Sequence, residues 1–251
     1  MSIALNAQGL SKSFNGIKAA DGVSVSVADG EFVSLIGANG AGKTTFINMV
    51  TGYVRPDVGS ITSYGREIVG LSPLQVTRLG IYRSFQIPQV FTGLTLMENL
   101  TVAINAVTAH ERPLLSPRKA ALNPDSRDRV EAVMERFQLG KYRDHLVSEV
   151  SGGMRKLLDV GMATINSPKV LMLDEPTSGV ASEEKFDFMD LVIEALSDQK
   201  AAVLFVEHDM DIVRRYADRI VVFHEGRVLA DDRPDAALAQ EDVRRYVTGK
   251  A

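Results

Sequence analysis

Gly37-Ala38-Asn39-Gly40-Ala41-Gly42-Lys43-Thr44 is the stretch that decides the fold. It fits G-x-x-x-x-G-K-[ST], a loop whose glycines let the backbone wrap a phosphate and turn its N–H groups inward. The apolar run Phe32–Ile36 precedes it, and Phe46, Ile47, Met49 and Val50 follow with the spacing of a helix that buries one face. A strand entering the loop and a helix leaving it place a helix N-terminus, with its positive potential, under the bound anion. Lys43 can reach the β- and γ-phosphates, the Thr44 hydroxyl can ligate Mg2+, and Thr45 continues the phosphate-facing set.

Outward from this loop, strands and helices alternate. Val23, Val25 and Val27 alternate with small or polar neighbours, the period of a strand. Strands are expected over 59–64 and 81–85, a short helix over 73–79, and a helix from Leu96 through Val107. Residues 108–127 hold Pro113, Pro117 and Pro124 without clear periodicity and read as a surface loop or loose insertion. A helix over 129–139 follows. The second half predicts a helix after 151–153, a strand over 170–173, a helix over 183–197, a strand over 202–206 and a helix near Asp209. A hairpin around Glu225-Gly226 closes the pattern. Short apolar strands alternating with helices imply an α/β fold with a parallel sheet covered on both faces.

One of those strands ends in Asp174-Glu175, after four apolar residues. An acidic pair at a strand end is ordinarily a solvated end. Beside a phosphate loop it acquires a purpose, because a nucleotide site needs a carboxylate for Mg2+ at the tip of a neighbouring strand. Asp174 suits that task, and Glu175 can act as general base on an attacking water, which favours hydrolysis over transfer to an organic acceptor.

Composition removes several other classes. The 251 residues carry 28 Lys and Arg against 32 Asp and Glu, a net charge of −4, which argues against a nucleic-acid binder held by bulk charge. Without cysteine there is no disulfide, thiolate metal site or thiol nucleophile. The four histidines show no zinc-ligand spacing. The longest apolar run, 201–206, is far short of the roughly 20 residues of a membrane span. The N-terminus lacks a basic segment followed by a long apolar one, so no signal peptide is expected and the default location is the cytoplasm.

Further motifs turn this reading into a resemblance. Val150-Ser151-Gly152-Gly153-Met154 stands between the two nucleotide motifs at the expected start of a helix, Gln86 ends Arg83-Ser84-Phe85-Gln86, and His208 lies in Phe205-Val206-Glu207-His208-Asp209. With these the chain resembles the ATP-binding subunits of ABC transporters over nearly its whole length. The resemblance implies a P-loop NTPase of ABC type, with a RecA-like core, an antiparallel β subdomain and an α-helical subdomain. It treats 1–251 as one domain, with core and β subdomain at 1–86 and 165–230. The helical subdomain would occupy about 87–164, with the Pro-rich insertion near 108–126, and a short helical tail 231–251. Ser151, Gly152 and Gly153 would be the signature that completes the phosphate site of a second ATP-binding subunit, head to tail. Gln86 would bind Mg2+ or the attacking water and sense the membrane partner, His208 would contact the γ-phosphate, and Phe14 would stack on adenine. Residues 178–181 occupy the loop that shapes the dimer seam.

The resemblance carries ATP and Mg2+ as cofactors and permease subunits as partners, indirectly a periplasmic solute-binding protein, with no nucleic acid. It places the chain on the cytoplasmic face of the inner membrane. Residues 80–86 and 91–100, the place of the insertion and Glu207-His208-Asp209-Met210-Asp211 are similar to importers of branched-chain amino acids, urea and related solutes. Two positions depart from the family pattern: Met154 replaces the usual signature glutamine, and Ala181 stands where Asp or Asn is common. They put signature-helix packing and communication between the two sites in question, and leave the phosphate-contacting groups intact. A P-loop kinase would explain the glycine loop but not Ser151–Gly153, Gln86 and His208 together. An exporter ATPase, for lipid or lipopolysaccharide, is the alternative transporter reading, and a non-transport ABC ATPase the more distant one.

Overall fold

The computed structural model describes residues 2–108, 124–197 and 199–248. Two long antiparallel strands, β1 (Ile3–Phe14) and β2 (Ile17–Ala28), meet at Asn15-Gly16, whose φ values of 48° and 83° suit a tight hairpin. β1 also pairs with β4 (Val58–Ser63), and β4 with β5 (Arg66–Glu67), giving an antiparallel sheet in the order β2-β1-β4-β5.

The second sheet contains β3 (Phe32–Ile36), β6 (Ile81–Arg83), β7 (Val170–Asp174), β8 (Ala202–Val206), β9 (Arg219–His224) and β10 (Arg227–Asp232), in the order β10-β9-β3-β8-β7-β6. All its pairings are parallel except the edge hairpin β9–β10. Its inner strands β3, β7, β8 and β9 are largely apolar runs because both faces are buried. Along β7, Val170 and Met172 pack into the cluster shared with the antiparallel sheet and α1 (Lys43–Val50). Leu171 and Leu173 point the other way, into a cluster with α3 (Leu96–Thr108), α4 (Pro124–Arg136), α5 (Gly152–Thr164) and α6 (Lys185–Ser197). β8 divides in the same way, with Ala202, Leu204 and Val206 on one side and Val203 and Phe205 on the other. A third, smaller cluster joins Val213 of α7 (Met210–Tyr216) and Ala237 of α8 (Pro234–Ala239) to Ile220 and Val222 of β9.

Arg219 ties the two sheets. From β9 it donates to the Glu31 carboxylate at 2.7 Å, to Asp231 on β10 and to the carbonyl of Ser26 on β2.

Three expectations need correction. Residues 124–127 belong to α4, not to a loop: Pro124 opens the helix, where its missing N–H is harmless, and Asp125 sits in the first turn. The rest of the expected insertion, 109–123, lies outside the described residues. The strand expected over 81–85 stops at Arg83, because the backbone of Phe85 leaves the ladder. Its N–H donates to Asp159, and its carbonyl accepts from Lys156. The helix expected from 183 opens as a 3-10 turn, Ser182–Glu184, before α6. Among the described residues no helix is long and apolar enough to cross a membrane.

Candidate nucleotide site

The phosphate loop leaves β3 and enters α1 through backbone that only glycine fits at two points. Gly37 has φ 147°, and a Cβ there would stand 2.3 Å from the carbonyl oxygen of Phe223. Gly42 has φ 109°, and its Cβ would lie 2.7 Å from the Ala19 carbonyl oxygen. Gly42 is also the N-cap of α1 and offers no side-chain cap, so the first N–H groups of the helix remain for an anion. Lys43 is buried and folds back over the loop, its Nζ donating to the carbonyls of Gly37 at 2.6 Å and Ala38 at 3.0 Å. Burial pushes its pKa below the ordinary lysine value, and the charges of Glu175 and Asp174 offset part of that. A buried ammonium bonded only to carbonyls is well placed to exchange them for phosphate oxygens.

The acidic strand end meets this loop across β3, β8 and β7. Glu175 follows β7 with φ 47°, a left-handed conformation rare for glutamate and typical of functional corners. Its amide donates to the Val206 carbonyl at 3.0 Å, which ties the corner to β8. The side chain stands between two others from the sequence reading. Gln86 Nε2 donates to Glu175 Oε2 at 2.7 Å, and His208 Nε2 lies 3.1 Å from Glu175 Oε1. Three segments distant in sequence therefore converge on one carboxylate.

Behind them stand polar residues that sequence reading did not single out. Arg83 reaches Asp174 Oδ2 at 2.7 Å and Asn48 Oδ1 of α1 at 2.6 Å, with its guanidinium 4.9 Å from the Phe85 ring centre. Glu207, buried beside His208, accepts from the Thr177 amide at 2.9 Å, the Thr177 hydroxyl at 2.6 Å and the His208 amide at 3.1 Å. The one signal for Glu207 was a carboxylate directly continuing the apolar run 201–206.

Asn39, Gly40, Ala41, Gly42, Lys43, Thr44 and Thr45 line a cavity of about 440 Å³ together with Gln86, Asp174, Glu175 and His208. Gly37 and Ala38 line an adjoining cavity of about 1230 Å³ that shares Asn39, Thr44, Gln86, Glu175 and His208 and reaches α7 and α8. Asp174, Thr44 and Gln86, which could offer Mg2+ a carboxylate, a hydroxyl and an amide, all line the smaller cavity. Among the described residues no three His, Asp or Glu side chains form a cage. A partial oxygen shell of this kind suits Mg2+, which takes its remaining ligands from phosphate and water.

Two groups of expected residues stand apart. Phe14, at the end of β1, is half-exposed under the Lys12 ammonium and lines neither cavity. Ser151, Gly152 and Gly153 also line neither. Ser151 is the N-cap of α5, its Oγ accepting from the Met154 amide at 3.2 Å, and Ser151 and Gly152 are exposed.

Comparison with known proteins gives a consistent result. The family model described as ABC transporter matches residues 20–178. The chain is 34% identical over 250 residues to the high-affinity branched-chain amino acid transport ATP-binding protein LivG of Salmonella typhimurium, covering 98% of each chain. It is 36% identical over 245 residues to the probable branched-chain amino acid transport ATP-binding protein LivG of Archaeoglobus fulgidus, covering 98% of this chain and 95% of that one. Among solved structures it matches the ADP conformation of an ATP-binding cassette of an ABC transporter with a TM-score of 0.85, at 33% identity over the whole of both chains.

Proposed function

The chain belongs to the ABC transporter family as an ATP-hydrolysing subunit, and on that premise we propose that it energises uptake of branched-chain amino acids or closely related small solutes. The solute class is carried by relatives named for branched-chain amino acid transport that align with 98% of this chain. The hydrolytic reading is carried by one observation, the Glu175 carboxylate held between Gln86 and His208 beside the phosphate loop.

In this reading the loop amides of 37–42, the α1 N-terminus and the Lys43 ammonium bind the β- and γ-phosphates, with Thr45 beside them. Glu175 accepts a proton from water as its oxygen attacks the γ-phosphorus. The bond from phosphorus to the bridging oxygen breaks, and ADP and phosphate leave. Gln86 and His208 hold the base and orient the water and γ-phosphate. Catalysis is then mostly positioning and electrostatic stabilisation. Thr44, Gln86 and Asp174 would hold Mg2+, which would supply charge neutralisation on the phosphates.

A transporter subunit of this family works with permease subunits and a second ATP-binding subunit. The exposed N-cap of α5, outside the cavities of its own chain, favours the head-to-tail arrangement in which Ser151, Gly152 and Gly153 face the nucleotide of the other subunit. Phe14 serves as the adenine contact, and the complex sits on the cytoplasmic face of the inner membrane.

The test is reconstitution in proteoliposomes with its membrane subunits and a periplasmic solute-binding protein. Leucine, isoleucine or valine should accelerate ATP hydrolysis and accumulate on the side of this subunit. Solute movement in the opposite direction, or acceleration only by a lipid, would replace the importer reading with an exporter.

A further inference from the structure

We propose that Lys156 and Asp159, one turn apart on α5, form a clamp that sets the position of Gln86 against Glu175. The proposal rests on the reading of Gln86 and Glu175 as hydrolytic residues, and it makes Lys156 and Asp159 positioning residues for them.

Lys156 is 1% exposed, yet all three donors of its ammonium are used. They reach the carbonyls of Phe85 at 2.8 Å, Gln86 at 3.0 Å and Asp174 at 3.3 Å. The first two belong to the segment that carries the Gln86 amide. The third immediately precedes Glu175. One cation thus holds both backbones from which the 2.7 Å contact between Gln86 and Glu175 is made.

Asp159 grips the same segment by its donors. Its Oδ2 accepts from the Phe85 amide at 3.3 Å and its Oδ1 from the Gln89 amide at 3.0 Å. Phe85 is therefore held by both its N–H and its carbonyl, to two side chains on one face of one helix. The helix begins at Ser151, so the clamp joins the signature N-terminus to the Gln86 segment through a few rigid turns.

Burying two charges is expensive, and an apolar pair of similar volume packs a helix as well or better. The pair gains from its position what packing does not require, a fixed seat for a segment with little regular structure. Burial works against both charges, lowering the lysine pKa and raising that of the aspartate, and each partner's charge opposes the shift of the other.

The chain has no cysteine, so a nitroxide can be placed on Ile87→Cys alone, a side chain 75% exposed beside Gln86. In the full-length protein carrying this label, Lys156→Met should make the spectrum more mobile. In the unlabelled protein it should lower kcat by roughly 10- to 100-fold at unchanged KM for ATP, the scale of an ångström-sized misplacement. Lys156→Met/Asp159→Asn removes the buried charge imbalance. It should recover thermal stability without recovering turnover or the immobile spectrum, and it takes the place of the single variant if that fails to fold. Unchanged mobility, or recovery of turnover along with stability in the double variant, would overturn the clamp. Gln86→Ala separates the two readings. Normal turnover there would remove Gln86 from the hydrolytic site, while the spectral change at 87 would still report the clamp.

Discussion

Replacing Glu175 with glutamine tests the hydrolytic reading with the least disturbance, and its outcome can be worked from the contacts. The two carboxylate oxygens engage Gln86 Nε2 at 2.7 Å and His208 Nε2 at 3.1 Å. A glutamine of the same shape can keep its oxygen on Gln86 and turn its NH2 toward the His208 ring. No hydrogen bond is necessarily lost, and the side chain is partly solvated, so folding stability should move by no more than about 1 kcal/mol. The phosphate loop is untouched, so ATP affinity should stay within a few-fold of wild type. What disappears is a group able to take the water proton. Loss of general-base catalysis amounts to roughly 10²–10⁴-fold in kcat, or about 2.7–5.4 kcal/mol of barrier at 1.36 kcal/mol per decade. Phosphate release under saturating ATP, beside binding of a fluorescent ATP analogue, separates the two quantities. Turnover within threefold of wild type, with binding intact, would show that water is activated by another group.

Lys43→Ala should act on binding instead. Losing a charge-assisted contact worth about 1.5–3 kcal/mol would weaken ATP affinity roughly 10- to 150-fold, and unchanged affinity by calorimetry would count against the loop reading. Glu31→Gln addresses the seam between the sheets and its dependence on pH. Burial raises the Glu31 pKa, but the Arg219 hydrogen bonds and the Ala28 amide outweigh it and hold the value below that of an ordinary glutamate. A folded-state pKa that is depressed stabilises the fold above the unfolded value, near 4.3, and loses that contribution as pH falls through the folded value. The variant should therefore lose about 1–2 kcal/mol in urea melts at pH 7, with the difference shrinking toward pH 3. An equal loss at both pH values would rule out the ion pair as its source.

The elements read correctly from sequence share a physical trait, that their signal is local. Gly37 and Gly42 announce themselves by their spacing within residues 37–44, and the backbone carbonyls of Phe223 and Ala19 then exclude any Cβ at those points. The runs at 170–173 and 202–206 read as buried strands because successive residues face two different cores. The errors arose where a residue's usual meaning was reversed by its position. Pro124 reads as part of a surface loop, yet it starts a helix. Phe85 was read as strand, and the partners that end the strand, Lys156 and Asp159, lie more than 70 residues away.

The residues missed at the site have a common location as well. Gln86, Glu175 and His208 face the cavities, whereas Lys156 and Asp159 are buried behind them and Glu207 is a buried carboxylate at the wall of the larger one. Glu207 binds Thr177 and the His208 amide, so the loop after Glu175 and His208 share one carboxylate. Lys156 binds the carbonyls of Gln86 and Asp174, so the Gln86 segment and the acidic strand end share one ammonium. Glu207 and Lys156 each span two of the segments that meet at the cavities, and most of their partners are backbone groups beyond the strand ends. Neither group has a meaning within its own stretch of sequence, because what it satisfies belongs to another element. A strand-end site made from several loops needs such groups. Loop backbone without a ladder must be paired when buried, and the polar side chains that pair it also fix how far apart the reacting groups stand.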